Sequence, residues 1–157
     1  MTATLAPDRT PTAVERQFAT FYVGHMLLGV DIRVVQEINR QSEITQVPHA
    51  PEYVRGVINL RGEVATVVDL RTILGLPTSD ASQQTRNLIV HHQGEAIGLL
   101  VDRISDILTL REDEISPPPT NVDGVDGRLM SGVCTLDTDI VVLLDIDEVL
   151  ADSARQD

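Results

Sequence analysis

The sequence predicts a mainly β protein made of two similar small modules about a pseudo-twofold, with short helices between and after them. Three observations carry that expectation. Most of the chain is short β-branched runs punctuated by Gly, Asp and Pro. Four pairs of these runs flank tight polar turns. The chain also repeats itself: Gly56 to Leu74 falls on Gly132 to Leu150 at a displacement of 76 residues, without a gap.

In chain order, residues 1–17 contain prolines and threonines but no apolar segment of signal-peptide type, and read as a disordered tail. Phe18–Val23 and Met26–Val30 form the first hairpin across Gly24-His25. Val34, Val35 and Ile38 follow at one-turn spacing, a short helical pattern that places Val34 and Ile38 toward the core and Val35 outward beside them. After a loop at Gln46–Pro51, the second hairpin joins Val57–Leu60 to Val64–Val68 through Arg61-Gly62-Glu63. A helix of Leu70, Ile73 and Leu74 then stops at Gly75. Pro77 to Thr85 reads as a linker.

The second module repeats the plan. Leu88–His92 and Ala96–Val101 flank Gln93-Gly94-Glu95, and a short acidic-apolar segment follows Asp102. A Pro- and Gly-rich loop runs from Pro117 to Gly127. The fourth hairpin joins Val133–Leu136 to Ile140–Leu144 across Asp137-Thr138-Asp139, and Ile146, Val149 and Leu150 mark the last helix. The organisation expected is a domain over 18–150, with modules 18–85 and 86–150, and a tail at 151–157.

Gly56, Val57, Leu60, Asp69 and Leu74 recur as Gly132, Val133, Leu136, Asp145 and Leu150, while Val64, Val67, Val68, Leu70 and Ile73 meet other aliphatics. The matched apolar positions are candidate core in both copies. Asp69 and Asp145, each directly before a helical pattern, read as N-caps whose carboxylates accept from first-turn amides. Function is sought where the copies differ. Asn59-Leu60-Arg61-Gly62-Glu63 in the first becomes Thr135-Leu136-Asp137-Thr138-Asp139 in the second. Arg61 beside a glycine suits a guanidinium offered from a hairpin tip to a carboxylate-bearing partner; the alternative is an ordinary solvated turn residue. Val35 offers an exposed aliphatic for a partner helix, or else widens the buried stripe.

Composition narrows the function class. The 157 residues carry 24 acids against 12 arginines and no lysine, a formal charge of −12, with only 4 aromatics. Nucleic-acid binding needs a positive stripe and exposed rings, and an anionic membrane surface would repel this chain. Residues 86–150 hold −9 of that charge, whereas 18–85 hold −2, so the two halves present different electrostatics. Cys134 is the single cysteine, which excludes an internal disulfide and fits a reducing cytoplasmic setting.

Nucleotide-binding glycine loops and a nucleophile elbow are missing from the sequence. His91 and His92 are adjacent in a strand and point to opposite faces, and the acidic segment 121–127 has the wrong offsets for a calcium loop. No catalytic residue, metal ligand or cofactor is assigned. A remote alternative is a small metal-dependent hydrolase using His49, Asp123 and Asp126.

A set of motifs in order carries a resemblance. Val34-Val35-Gln36-Glu37-Ile38, Ile44-Thr45 followed by Val47-Pro48 and Ala50-Pro51, Tyr53 to Gly62, Val68-Asp69-Leu70, and Gly98 to Asp102 together resemble the CheW-like adaptors of bacterial chemosensory systems. The likeness runs from about Phe18 to Leu150. It implies a pair of five-stranded barrels with strands exchanged, a cytoplasmic location at membrane-associated receptor arrays, and no catalysis. It also implies two partners: the cytoplasmic tip of a coiled-coil chemoreceptor and the regulatory domain of a CheA-type histidine kinase. The positions matching the receptor-facing set are Ile32, Val35, Glu37 and Arg61, with Asn59 and Gly62 shaping the turn; no residue is assigned to the kinase. The acidic 118–127 loop departs from the pattern. The same fold in a surface-motility or second-messenger pathway is the alternative.

Overall fold

The computed structural model describes residues 14–40, 43–77 and 82–155; the expected tail over 1–13 and the last two residues lie outside them. The chain forms β1 (Glu15–Val23), β2 (Met26–Asp31), β3 (Val35–Asn39), β4 (Val54–Leu60), β5 (Glu63–Asp69), α1 (Leu70–Leu74), β6 (Arg86–His92), β7 (Glu95–Val101), β8 (Arg103–Arg111), β9 (Asn121–Val122), β10 (Val125–Asp126), β11 (Met130–Leu136), β12 (Asp139–Leu144) and α2 (Ile146–Arg155). All four expected hairpins form. Three of their turns begin on a non-glycine residue in the left-handed region: Arg61 (φ 50°), Gln93 (φ 52°) and Asp137 (φ 44°). That twist matches the right-handed twist of the flanking strands.

Ten strands make two five-stranded sheets of matching plan, ordered β11-β12-β2-β1-β8 and β4-β5-β7-β6-β3. Neither sheet belongs to one sequence repeat. The first hairpin, β1–β2, sits among strands of the second copy, joined by a parallel pairing of β2 with β12. The third hairpin, β6–β7, sits likewise among strands of the first copy, joined by a parallel pairing of β7 with β5. The copies are therefore interleaved.

Burial explains why the repeat is written as near-continuous apolar runs. Ile58, Leu60, Ala65 and Val67 pack inside one sheet with Ile89 and Ala96. Their equivalents Cys134, Val141 and Leu143 pack inside the other with Phe18 and Leu110. The alternate residues Val68, Val142 and Leu144 point the other way, into a central core shared by both sheets with Phe21, Leu28, Leu88 and Leu99. With side chains buried on both faces, these strands read as continuous hydrophobic runs. Burial also pushes the Cys134 thiol up, with Glu114 adding to it.

Two glycines matched in the repeat let each sheet approach its own far edge. Thr45, beyond β3, exchanges two backbone hydrogen bonds with Val57 of β4 (2.9 and 2.8 Å), and Ser116, beyond β8, does the same with Val133 of β11 (2.8 and 3.0 Å). A Cβ on Gly56 would lie 2.3 Å from the Thr45 carbonyl oxygen, and one on Gly132 2.8 Å from that of Ser116. The chain crosses at both places only because no side chain is there.

The helix caps stand as expected. Asp69 Oδ1 accepts from the Arg71 amide (3.0 Å), Gly75 closes α1 in the left-handed region at φ 77°, and Asp145 Oδ1 accepts from the Glu148 amide (3.3 Å). Asp69 is also an ion-pair partner, with Arg55 Nη1 3.1 Å from its Oδ2. The guanidinium of Arg71 pairs with Asp102, which in turn accepts from the Gly24 amide at the first hairpin tip (2.7 Å). At the equivalent place in α2, Asp147 instead faces His92 Nδ1 at 3.1 Å.

Several local expectations are corrected. Residues 35–38 are extended, not helical: a single 3₁₀ turn over Ile32–Val34, capped by Asp31, leads into edge strand β3. Pairing with β6 overrides the helical spacing, and the faces change with it. Val35 packs on the central core while Ile38 is 41% exposed. The segment after Asp102 is a nine-residue strand, β8. The loop before Gly127 contains the β9–β10 ribbon, whose turn is held by Gly124 N–H donating to Asn121 Oδ1 (3.0 Å). Strand β1 begins at Glu15, and α2 continues to Arg155.

Candidate functional site

The second hairpin presents Arg61 at a two-residue turn. Asn59 Oδ1 accepts from the Gly62 amide at 2.9 Å, and Gly62 sits at φ 90°, so both residues shape the tip. From that tip the Arg61 side chain, 76% exposed, reaches the carboxylate of Glu37 on β3, which is only 20% exposed. This ion pair joins the two outermost strands of one sheet, residues distant in sequence. Asn39, two positions along β3 and therefore on the same face, donates from Nδ2 to Glu37 Oε2 at 3.3 Å. Asn39 Oδ1 in turn accepts from Nδ2 of Asn87 on β6, also at 3.3 Å. Asn87 is buried at 1% exposure. The Glu37 carboxyl is held below the ordinary glutamate value, first by the Asn39 amide and then by the Arg61 guanidinium.

Around this pair lies an open depression of about 480 Å³, whose lining adds Arg40, Glu43 and Leu60. Of the expected site residues, Glu37, Asn59 and Arg61 meet here, with Gly62 in the turn. Ile32 does not join them: it lines a separate depression of about 640 Å³ with Val14, Arg16 and Glu112. Val35 is partly buried on the central core, between the two along the chain. Sequence reasoning missed Asn39 and Asn87. A strand period through Glu37 would have put Asn39 on its face, whereas a helical reading separates them.

The corresponding hairpin of the second copy is different in kind. Its tip is Asp137-Thr138; Thr138 and the adjacent Asp139 line a depression of about 250 Å³ that includes His25, Asp123 and the half-exposed Ile140. Among the described residues no three of His, Cys, Asp and Glu converge as metal ligands would, so His49, Asp123 and Asp126 form no such centre; Asp126 is taken by Arg128 at 3.0 Å. Among the described residues, too, no helix is long and apolar enough to cross a membrane.

Two interleaved sheets thus carry one mixed-charge tip and one acidic tip, two chemically different surfaces on one scaffold. A family model for the CheW-like domain matches residues 17–154, and the chain belongs to that family of chemotaxis adaptors. It is 33% identical to the chemotaxis protein CheW of Rhizobium meliloti, over 90% of this chain and 91% of that one. It is also 30% identical to protein FrzA of Myxococcus xanthus, over 97% of both. The crystal structure of the scaffolding protein TtCheW from Thermoanaerobacter tengcongensis superposes with a TM-score of 0.81 at 29% identity, covering 87% of this chain and 92% of that one.

Proposed function

We propose that this adaptor couples a chemoreceptor to a CheA-type histidine kinase, in the cytoplasm at membrane-associated receptor arrays, and that the Glu37–Arg61 surface is its receptor-facing side. The observation that carries the reading is the Arg61 tip: a mostly exposed guanidinium restrained by a largely covered carboxylate. A guanidinium has five N–H donors in a fixed fork, so pairing with Glu37 leaves donors for a carboxylate on an approaching helix. Val35 and Ile32 extend the contact along the chain, with Asn59 and Gly62 setting the turn. Signalling state passes through such a bridge by differential contacts with the two partners. The other sheet, with its acidic Asp137 and Asp139 tip, leaves a different face for the other partner.

Co-sedimentation with receptor-containing membranes and kinase tests this, comparing wild type with Arg61→Asp. The substitution sets a second carboxylate against Glu37 and repels an acidic partner, so receptor binding falls more than tenfold while the fold persists. A folded Arg61→Asp protein that assembles and activates the kinase as wild type does overturns the assignment. A second reading keeps the fold and changes the pathway, to surface motility or second-messenger control. It is favoured by the similarity, across nearly the whole chain, to a relative of another name, FrzA. The genes neighbouring this one separate the two pathways.

A further inference from the structure

The hydrogen-bonded series Asn87, Asn39, Glu37, Arg61 crosses two strands, β6 and β3, to the β4–β5 tip, and runs from a buried amide to an exposed guanidinium. Its geometry is directional. Asn87, buried in the core, donates to the Asn39 side-chain oxygen, and the Asn39 amide nitrogen, on the other side of that group, donates to Glu37. Both carboxylate oxygens of Glu37 are then engaged, Oε2 by Asn39 and Oε1 by Arg61. We propose that Asn39 and Asn87 are positioning residues for partner binding, holding the Glu37 carboxylate so that the Arg61 side chain is ordered before the partner arrives. The proposal rests on the receptor-facing reading of Arg61 given above.

The physical reason is conformational entropy. Arginine has a long, rotamer-rich side chain, and immobilising one on binding costs conformational entropy. A carboxylate fixed from the core side meets part of that cost in the free protein. The Asn39 amide and the Arg61 guanidinium both hold the Glu37 carboxyl below its ordinary value, and they engage different oxygens, so the carboxylate has a second anchor besides the residue it orders. The remainder of the depression, including Arg40 and Glu43, lies outside this series.

The experiment is a double-mutant cycle on the full chain, read as affinity for a soluble fragment of the chemoreceptor's cytoplasmic tip. Four proteins are compared: wild type, Asn39→Ala, Arg61→Ala and the double variant. Asn39→Ala is expected to weaken binding three- to tenfold in the wild-type background and less than twofold where Arg61 is already alanine. Binding of the kinase regulatory domain and the melting temperature serve as controls for a merely structural effect, which would weaken binding equally in both backgrounds. Equal losses in both backgrounds, or no loss from Asn39→Ala, overturn the positioning role. If Arg61→Ala itself binds the fragment as wild type does, the receptor-facing reading fails, and the positioning role falls with it. Asn39→Ser, which keeps a side-chain donor, is expected to recover part of the lost affinity.

Discussion

Adding one methyl group at Gly56 should unseat the edge-to-edge crossing of one sheet. The new Cβ would lie 2.3 Å from the Thr45 carbonyl oxygen and 2.6 Å from Ile44 Cγ2, and the backbone there has φ +147°, a conformation L residues rarely adopt. The backbone strain amounts to about 1–3 kcal/mol. Relieving the clash means moving Thr45, whose two hydrogen bonds with Val57 contribute about 0.5–1.5 kcal/mol each. Gly56→Ala is thus expected to cost about 2–6 kcal/mol, a large share of the 5–15 kcal/mol typical of a folded domain. Gly62→Ala is the control, because a Cβ there meets nothing within 4 Å and only its φ of +90° is unfavourable, about 1–2 kcal/mol. Gly132→Ala lies between them: the backbone oxygen of Ser116 is 2.8 Å from its Cβ, without a positive φ. Urea denaturation with the slope monitored gives the three values, and Tm should fall on the order of 10 °C for Gly56→Ala at about 2–4 °C per kcal/mol. If Gly56→Ala costs no more than Gly62→Ala, the crossing does not depend on the missing side chain and the reasoning fails.

Two further outcomes follow from the ion pairs and caps. Asp69→Asn should retain the α1 cap, since asparagine caps as well as aspartate, and lose only the charged part of its contact with the half-exposed Arg55; a cost of about 1 kcal/mol is expected, against about 2–3 kcal/mol for Asp69→Ala, both read from thermal melts. A larger loss for the asparagine variant would make the ion pair, not the cap, the main role. Asp31 is held at about 2, from an ordinary 3.8, chiefly by its hydrogen bond from Arg33. A carboxyl with a depressed folded-state pKa stabilises the fold above its unfolded value and loses that contribution as pH falls through about 4 to about 2. With Arg33 largely exposed, solvent screening leaves about 1 kcal/mol, and Asp31→Asn should flatten that part of the acid limb of stability against pH.

Local chemistry accounts for what was legible. A two-residue turn needs left-handed backbone, so Arg61-Gly62 and Gln93-Gly94 announce hairpins from composition alone. An aspartate before an apolar triplet announces a cap. The gapless repeat marked the two glycines of the crossings and the paired inner positions of both sheets. The aliphatic spacing of residues 34–38 fits one helical turn, and only the partner strand β6, some fifty residues on, makes Val35 to Ile38 extended. The helical reading also hid Asn39. The Arg61 tip stood out as a difference between copies, but its carboxylate partner lies 24 residues away and could not be found from spacing.

By itself the sequence determined the elements and their duplication: which runs are strands in hairpins, where α1 starts and stops, and most of the matched apolar core, because each depends on neighbours within a few residues; the matched pair Val64 and Ile140, expected inside, is instead 61% and 53% exposed, because each lies beside its hairpin tip where no neighbouring element covers that face. Only the tertiary structure decided how the copies combine. A hairpin pairs with whichever edge buries its second face, and parallel pairing of β2 with β12 and of β7 with β5 interleaves the repeats around one central core. That interleaving brings Asn87 of one copy beneath Asn39 and Glu37 of the other, and so ties the buried core to the exposed guanidinium of Arg61.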